Sequence, residues 1–497
     1  MNSVWSSLLW KEWREHRAKL FALLAVTLVF LPAPWIGSDP RETVQNGMIL
    51  FVLIMPAVSL FVGAGIAAGE HSRRTIGFLQ ALPIGTKKPA VAKLAIASAV
   101  AYAPTVLLLL LFVLWGWLMP DDDIHAMYWG VYAYVATLGL ASVSLVIWMA
   151  AVGVNRSDEV RAGAIGLLLM LVYWAALAYL FPGSREPWPL WHRLLTAAAP
   201  AGMVNAAFYE ELLGINFSRT NIAPILLTAA ISHAILAAIY VYRFGRVSTA
   251  RTQVVEQPVL ERSITIALRP PRRGPIRATV WKQLRETAPL ALLGAGGILC
   301  VATILVRALR SVDQVGNTPS LAHVAAIAWL VVGIFVSLVA GIGLFADDLR
   351  PQLNTFWRSR PISPDQWFAV KFTAGLLLTL VMLVAPLILL VGVSTAIYGI
   401  DEVIPGALGA GEVIIGLTLG LAAQATAFCV AAAAFALVRQ PVAAAIIAIV
   451  ICIATAAVVG DVENSYARAA MAVVVLATFG TAFAWHAVRK DLSWSST

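Results

Sequence analysis

Residues 94–119 read LAIASAVAYAPTVLLLLLFVLWGWLM and contain no charged side chain. A helix needs about 20 apolar residues to cross the roughly 30 Å hydrocarbon core of a bilayer. In that core, only helices and closed barrels leave no backbone polar group unpaired. The stretch lacks the alternation of apolar and polar residues that is typical of a barrel strand. It therefore predicts a membrane-spanning helix.

The composition of the whole chain agrees with this prediction. Of 497 residues, 60% are apolar and only 12% are charged, whereas a soluble domain carries roughly 25% charged residues. A soluble protein of this composition would have too few polar side chains to cover its surface. The 17 tryptophans suit the interface between membrane and water. We therefore expect an all-α, polytopic membrane protein.

Apolar stretches of similar length recur along the chain and predict about twelve membrane-spanning helices in two sets of six. The first set is expected at about 18–36, 46–68, 94–119, 127–154, 163–181 and 222–243. The second set is expected at about 288–306, 321–345, 372–398, 411–438, 441–460 and 468–487. Cys300, Cys429 and Cys452 lie in apolar stretches of the second set and are interpreted as small core residues.

The basic residues orient the chain. If the N-terminus is cytoplasmic, 28 of the 35 Lys and Arg residues fall on the inner side. The short outer loops at 121–123 and 401–402 are acidic. This bias follows the positive-inside rule and predicts that both termini are cytoplasmic, in a plasma or inner membrane. The basic residues behind the net charge of +9 are accounted for by this topology. We therefore expect no nucleic-acid partner.

Two landmarks indicate that the halves are repeats. The sequence WKEWRE at 10–15 precedes the first predicted span, and WKQLRE at 281–286 precedes the seventh. A second pair of landmarks follows the second and eighth spans at one constant offset, with Glu70, Phe78, Pro83 and Lys93 matching Asp348, Phe356, Pro361 and Lys371. An even number of spans in each half gives both repeats the same orientation.

The repeat divides the chain into three parts. Residues 1–243 form the first half, 244–275 a basic linker rich in Arg and Pro, and 276–497 the second half. We expect the linker to be partly extended and cytoplasmic. Its charges either lie on anionic headgroups or serve only as a topology signal.

The segments that precede the first and seventh spans have helical amphipathicity. Each is expected to lie at the membrane interface with its rings among the headgroups and its basic side chains toward water. Such a helix either couples a cytoplasmic partner to the following span or serves only as an anchor. The residues that carry this interpretation are Trp10, Lys11 and Arg14 in the first half and Trp281, Lys282 and Arg285 in the second.

The loops after the second and eighth spans have a common design. Each begins with a carboxylate, turns at a proline and ends at the lysine that enters the next span. Short helices are predicted within them at 75–82 and 354–359, and the prolines would end these helices. Such a projection either transmits a conformational change from a soluble partner protein or is a passive loop.

This combination of an N-terminal Trp-Lys-Glu-x-Arg helix and a loop with the pattern Glu70…Phe78…Pro83…Lys93 resembles the type-2 ABC transporter permease family. The resemblance implies that the interfacial helices and the loops contact ATP-binding subunits. The implied coupling positions in the first half are Glu70, Arg73, Arg74, Phe78, Pro83 and Lys93. In the second half, Asp348, Phe356, Pro361 and Lys371 fit the pattern, but Arg360 replaces the leucine before the proline.

The sequence contains no phosphate-binding loop of the form G-x-x-x-x-G-K-[ST]. ATP is therefore expected to be bound by a partner, and no cofactor or metal by this chain. Two loops in one chain predict two cytoplasmic ATP-binding subunits per chain. The chain is then a transport subunit, more specifically an exporter, and not an enzyme. Its Ala, Gly, Leu and Val content favours an apolar or amphipathic solute or a lipid.

Two other functions fit parts of the sequence. A secondary transporter of the major facilitator type also has two parallel six-helix repeats, but it usually carries charged residues within its spans. Here the candidates are only His233 and His323. A membrane partner of an ATPase that does not itself transport, such as a sensor, is the other alternative. A membrane-embedded enzyme is disfavoured because no metal or nucleophile motif occurs.

The outer side differs between the halves. Residues 182–221 form a long segment with apolar stretches that predict short helices at the outer interface. The matching segment near 461–467 is much shorter. The longer segment is interpreted either as a lid over a transport pathway or as an interfacial cap.

Overall fold

The computed structural model of the chain describes residues 4–30, 59–70, 75–81, 84–118, 122–156, 159–180, 189–203, 223–246, 274–311, 321–346, 348–349, 362–398, 410–460 and 465–490. The regular structure in these ranges is helical, and no strand occurs among them. The prediction of an all-α protein is confirmed for this part of the chain.

Two compact units make up the chain. The first comprises Met1–Gly245 together with Arg310–Val312, and the second comprises Arg246–Leu309 and Asp313–Thr497. The division after Gly245 follows the end of the last helix of the first predicted half. Each unit therefore has its own packed interior, which we describe separately.

The helices of the first unit follow the predicted spans and loops in order. They are α1 (Val4–Phe30), α2 (described over Ser59–Glu70), α3 (Ile76–Ala81), α4 (Lys87–Leu118), α5 (Asp122–Gly153), α6 (Glu159–Leu180), α7 (Leu190–Ala198) and α8 (Ala223–Arg243). Helix α5 is the centre of the unit and contacts α4, α6 and α8. The short helix α7 packs against α8.

The second unit repeats this arrangement around α12. Its helices are α9 (Pro275–Ser311), α10 (Leu321–Ala346), α11 (Pro364–Tyr398), α12 (Ala410–Val438), α13 (Pro441–Gly460) and α14 (Ser465–Lys490). Helix α12 contacts α10, α11, α13 and α14. The separation of α12 and α13, which the sequence predicted only from residues 439–441, is present: Arg439 has a left-handed φ of 55°.

Eight helices among the described residues are long and apolar enough to cross a membrane. They are Lys87–Leu111, Tyr132–Gly153, Ala223–Arg243, Ile276–Leu305, Val324–Ala346, Pro364–Val393, Ile414–Val438 and Ala470–Lys490. Shorter apolar helices at Ser59–Glu70, Ala162–Ala178 and Ala443–Cys452 coincide with the second, fifth and eleventh predicted spans. The chain is thus a multi-pass helical membrane protein, with fewer candidate spans in its described part than the twelve expected.

The interfacial segments are not separate helices. Residues 10–15 belong to the uninterrupted helix α1, and residues 281–286 belong to α9. Because no break separates the amphipathic segment from the apolar one, each forms the first turns of a long helix. The predicted short interfacial helices are therefore corrected to helix beginnings.

The face of these segments that packs inside the protein is partly polar. In α1 the buried positions are Leu8, Glu12, His16 and Leu23, and in α9 they are Thr279, Gln283, Thr287 and Ala291. Of the apolar side chains in this segment of α1, Leu8 is buried and Trp13 half-buried, whereas Trp5 and Leu9 are exposed. In a bilayer the exposed side chains face lipid, so the protein interior receives the polar face.

Candidate functional site: two equivalent charge clusters

Helices α1, α2 and α4 bring four charged side chains together in the first unit. The Nζ atom of Lys93 lies 3.0 Å from Oε2 of Glu12 and 2.8 Å from Oε1 of Glu70. The Nζ atom of Lys11 lies 3.3 Å from the same Glu70 oxygen and 3.5 Å from Glu12. Glu12, Glu70 and Lys93 are buried, whereas Lys11 is exposed. We call this group, together with Glu15, the first charge cluster.

The second unit contains the equivalent arrangement. The Nζ atom of Lys282 lies 2.6 Å from Oδ1 of Asp348 and 3.5 Å from Glu286. The ammonium of Lys371 pairs with the other oxygen of Asp348 and lies 3.8 Å from Glu286. Lys371 is buried and Asp348 nearly so. We call this group the second charge cluster.

The two clusters occupy the same positions of the repeat. Lys11 and Glu15 match Lys282 and Glu286 at one constant offset, and Glu70 and Lys93 match Asp348 and Lys371 at another. In each unit, the cluster therefore joins the beginning of a long helix to the carboxylate that starts a loop and to the lysine that ends it. These contacts unite six of the predicted site residues: Lys11, Glu70, Lys93, Lys282, Asp348 and Lys371.

One position differs between the clusters. Gln283 stands where the first unit has Glu12, and its Nε2 atom donates to the Thr287 hydroxyl at 2.6 Å. In the second cluster, Glu286 supplies the carboxylate beside the buried lysine. The first cluster holds three carboxylates and two ammonium groups, whereas the second holds two of each, so only the first carries a net negative charge.

The ammonium groups determine the protonation of the loop carboxylates. Burial raises the pKa of Glu70, but Lys93, the Thr75 hydroxyl and Lys11 together lower it to about 2. Burial likewise raises the pKa of Asp348, and the charges of Lys371 and Lys282 lower it below its ordinary value. Both carboxylates are therefore ionised at neutral pH.

The carboxylates of the first cluster are close enough to suggest a metal site. Oxygen atoms of Glu12, Glu15 and Glu70 lie within 4.8 Å of one another. The ammonium of Lys93 lies within 3.0 Å of two of these side chains. The protein itself thus supplies the cation, and the cluster is better described as an ion-pair network than as a metal centre.

Helix α3 is the predicted short helix in the first loop, and it is confirmed at Ile76–Ala81. Its preceding residue Thr75 donates its backbone N–H to the Glu70 carbonyl at 2.9 Å and its hydroxyl to the Glu70 carboxylate. At its other end, Nε2 of Gln80 donates to the Gly245 carbonyl at 2.5 Å. The loop helix is therefore fastened to the first charge cluster and to the end of α8.

The end of α8 has two further contacts. Nδ2 of Asn155, which follows α5, donates to the Arg243 carbonyl at 2.7 Å, and Asn155 has a left-handed φ of 63°. Gly245 has a φ of +71°, and a Cβ atom there would approach the Thr86 side chain to 2.9 Å. Glycine at this position allows the turn before α4 to pack against the end of α8.

The other predicted site residues are placed as follows. Trp10 and Arg14 are exposed on α1, Arg285 is exposed on α9, and Trp281 is half-buried. Arg73, Arg74, Pro83, Phe356, Pro361 and the predicted helix at 354–359 lie outside the described residues, as does the side chain of Phe78. Four further residues were not predicted as site residues from the sequence: Glu12, Glu15, Glu286 and Gln80. The repeated Trp-Lys-x-x-x-Glu pattern was the available signal for Glu15 and Glu286.

The repeat also extends further than the two landmarks. Ser59, Leu60 and Gly63 in α2 match Ser337, Leu338 and Gly341 in α10 at the offset that relates Glu70 to Asp348. A Cβ atom on Gly63 would lie 2.9 Å from the Val146 carbonyl of α5, and one on Gly341 would collide with the Phe428 carbonyl of α12. Small residues let the two backbones of each pair approach closely.

The fold is that of a multi-pass α-helical membrane protein. In each of its two units, the beginning of a long helix is ion-paired in the same way. No protein-family model matches the sequence, and neither a curated protein nor a solved structure matches it.

Proposed function

We propose that this chain is the membrane-spanning permease of an ATP-driven exporter of the type-2 ABC class. It would cross the membrane twelve times, with both termini in the cytoplasm and six spans in each half. Two separate ATP-binding subunits would supply the energy, one at each of the loops that follow α2 and α10. The solute would be apolar or amphipathic.

The duplicated charge cluster is the observation that carries this proposal. A conformational change in a soluble ATP-binding subunit can move a membrane helix only if the loop that the subunit contacts is firmly joined to that helix. Glu70 joins the first loop to α1 through Lys11 and to α4 through Lys93. Removing one partner from the buried Glu70–Lys93 pair costs about 3–5 kcal/mol, because the other charge stays buried. The pairs would therefore hold while the loop is displaced.

The attachment of α3 supports the same role. One side of this helix is held through Leu79, which is buried, and through the bond from Gln80 to the end of α8. Gly77 lies between the two ends of the helix and is exposed. A Cβ atom on Gly77 would meet no atom of the described residues within 4 Å. An ATP-binding subunit that docks on this open side would thus act on α1, α4 and α8 together.

Isolation of the chain with its ATP-binding partner tests the proposal. We expect two ATP-binding subunits per chain and solute movement in vesicles that requires their ATP hydrolysis. A ratio of one subunit per chain contradicts the two-site arrangement. Binding of the ATPase without solute movement favours a sensor, and solute movement driven by an ion gradient without an ATPase favours a secondary transporter.

A further inference from the structure

Helix α7 has its polar side inside the protein. Its buried residues are His192, Arg193, Thr196 and Ala197, and its exposed residues include Leu190, Trp191 and Leu195. A helix on a membrane surface has its apolar side in the lipid and its polar side in water. The short helix predicted within 182–221 is present at Leu190–Ala198, and its apolar side faces outward while its polar side packs on the unit.

The turn after α7 reaches the middle of a membrane span. The backbone N–H of Ala201 donates to the Ser144 hydroxyl of α5 at 2.8 Å. At about 1.5 Å per residue, Ser144 lies about 13 Å from Gly153 and about 18 Å from Tyr132, the two ends of that span. The turn at Ala201 thus lies level with the middle of this span.

Helix α6 holds the same segment from a second side. The hydroxyl of Tyr173 donates to the Leu195 carbonyl at 3.2 Å, and Nε1 of Trp174 donates to the Pro200 carbonyl at 3.2 Å. These bonds satisfy backbone carbonyls that lipid could not satisfy. The position of α7 within the unit is thereby fixed by both α5 and α6.

The inner face of α7 packs on apolar residues of neighbouring helices. Ala197 belongs to a buried cluster with Leu108 of α4, Leu138 of α5 and Ile225 and Ala229 of α8. Thr196 is adjacent to Ala197, and His233 follows Ala229 by one turn on the same buried face of α8. Thr196 and His233 are only 1% and 5% exposed. Both side chains are therefore buried where α7 and α8 pack together.

These two side chains have unused hydrogen-bonding capacity. Nδ1 of His233 lies 2.7 Å from the Ala229 carbonyl, and because a carbonyl only accepts, this nitrogen carries the hydrogen. Nε2 is then an acceptor, and among the described residues neither it nor the buried Thr196 hydroxyl has a hydrogen-bond partner. A buried polar atom without a partner costs about 1–3 kcal/mol. A bound ligand or water would satisfy such atoms.

A charged side chain on the same helix face indicates which ligand. Arg193 is 5% exposed, one turn before Thr196. A charged side chain buried inside a membrane protein is costly and usually marks a functional site. A guanidinium suits planar, bidentate binding of carboxylate or phosphate. The exposed residues Leu190, Trp191 and Leu195 give the same helix an apolar surface for an acyl chain.

We propose that the buried face of α7, together with His233, is an intramembrane binding site for the anionic headgroup of an amphiphile. Arg193 binds the carboxylate or phosphate, the Thr196 hydroxyl donates to it, and Nε2 of His233 accepts from a hydroxyl or a water of the bound headgroup. Binding requires neither ATP nor a partner subunit, so it can be tested whether or not the chain transports.

Binding of radiolabelled oleate to the purified full chain tests the site, with oleyl alcohol as the uncharged probe of the same chain length. In phosphatidylcholine nanodiscs, we expect saturable binding of oleate and much weaker binding of the alcohol. Arg193→Gln should weaken oleate binding at least tenfold, and Arg193→Lys less, because it keeps the charge. Arg156→Gln, an exposed arginine after α5, is the matched control and should change nothing.

A comparison of nanodiscs with and without phosphatidylglycerol identifies the source of the headgroup. If phosphatidylglycerol in the nanodisc displaces oleate, the site holds a lipid headgroup; if it does not, the site prefers a free amphiphile, and either result supports the anionic site. Equal binding of oleate and oleyl alcohol, or unchanged binding by Arg193→Gln, overturns it. If Arg193→Gln does not fold, the oleate affinities of Thr196→Val and His233→Phe test the proposal instead. Weaker binding by either variant supports the site, and unchanged affinity in both overturns it.

Discussion

The ammonium of Lys93 lies 3.0 Å from the carboxylate of Glu12, although 81 positions separate the two residues in the chain. Both side chains are almost fully buried. The pair joins the beginning of α1 to the beginning of α4, and Glu70 completes it from the end of α2. Three helices of the first unit are thus connected at one point by buried charge.

Replacement of Lys93 should destabilise the chain strongly. Lys93→Met leaves Glu12 and Glu70 buried without their cation, which we expect to cost about 3–5 kcal/mol of unfolding free energy. Thermal unfolding of the purified chain in detergent measures the change. Lys88→Met is the control because Lys88 is exposed on the same helix, and it should change stability by about 0.5 kcal/mol or less. Equal effects of the two substitutions would show that the buried pair does not stabilise the unit.

Glu12 and Lys93 should be energetically coupled. Glu12→Gln and Lys93→Met each remove the ion pair between them, so the double variant should be less destabilised than the sum of the single variants. We expect a coupling energy of about 0.5–3 kcal/mol from the double-mutant cycle. A cycle that pairs Glu12→Gln with the exposed Lys88→Met should show none. Strict additivity in the first cycle contradicts a direct interaction.

Acid should weaken the first unit through Glu70. The pKa of this group is about 2 in the folded chain, below its ordinary value near 4.5. Because the folded pKa is the lower one, the stabilisation is fully present above about pH 4.5 and is lost as the pH falls toward about 2. The loss is roughly 3 kcal/mol at most. Glu70→Gln should flatten this part of the stability profile, whereas Asp365→Asn, at a half-exposed carboxylate, should not.

The close approach of α10 and α12 should be sensitive to one methyl group. Gly341→Ala places Cβ against the Phe428 carbonyl, a backbone atom that cannot turn aside. We expect a loss of about 1–3 kcal/mol of stability. Gly416→Ala on α12 meets no atom of the described part of the chain within 4 Å, and the helix should gain up to about 1 kcal/mol from it. Thermal unfolding of both variants measures these changes in stability. If Gly341→Ala left the stability unchanged, the two helices could separate at little cost.

The bond between α3 and α8 should matter for coupling more than for stability. Gln80→Ala removes the donor to the Gly245 carbonyl, at a cost of about 1 kcal/mol. Under the proposed function, we expect a several-fold lower solute movement per ATP hydrolysed, with assembly unchanged. Lys88→Ala in the following helix is the comparison. Unchanged coupling in Gln80→Ala would assign the transmission to the charge cluster alone.

Much of the site could be predicted because its residues recur at the same spacing in both halves of the sequence. The matching of Glu70 to Asp348 and of Lys93 to Lys371 followed from one constant offset, and charged residues beside spans tend to pair. The structure brings each carboxylate and lysine together as the shared loop design suggests. Helix α3 was predictable for the same reason, since the proline after it limits its length.

The interior partners could not be predicted from amphipathicity. In α1, the apolar face contains Leu8, which is buried, and Trp5 and Leu9, which form an exposed part. In a soluble protein that part would be buried as well. A bilayer accepts it instead, so Glu12 turns inward, where Lys93 compensates its charge. The same inversion applies to α7, whose Arg193 is buried and whose Trp191 is exposed. In both places the sequence shows the two faces, but not which of them meets lipid.

The exchange of Glu12 for Gln283 shows what fusion of two repeats permits. In an assembly of two identical chains, any substitution alters both copies of a site at once. Here each copy has its own codon, so one cluster can carry a carboxylate where the other carries an amide. Under the proposed function, two non-identical ATP-binding subunits could then each recognise one cluster.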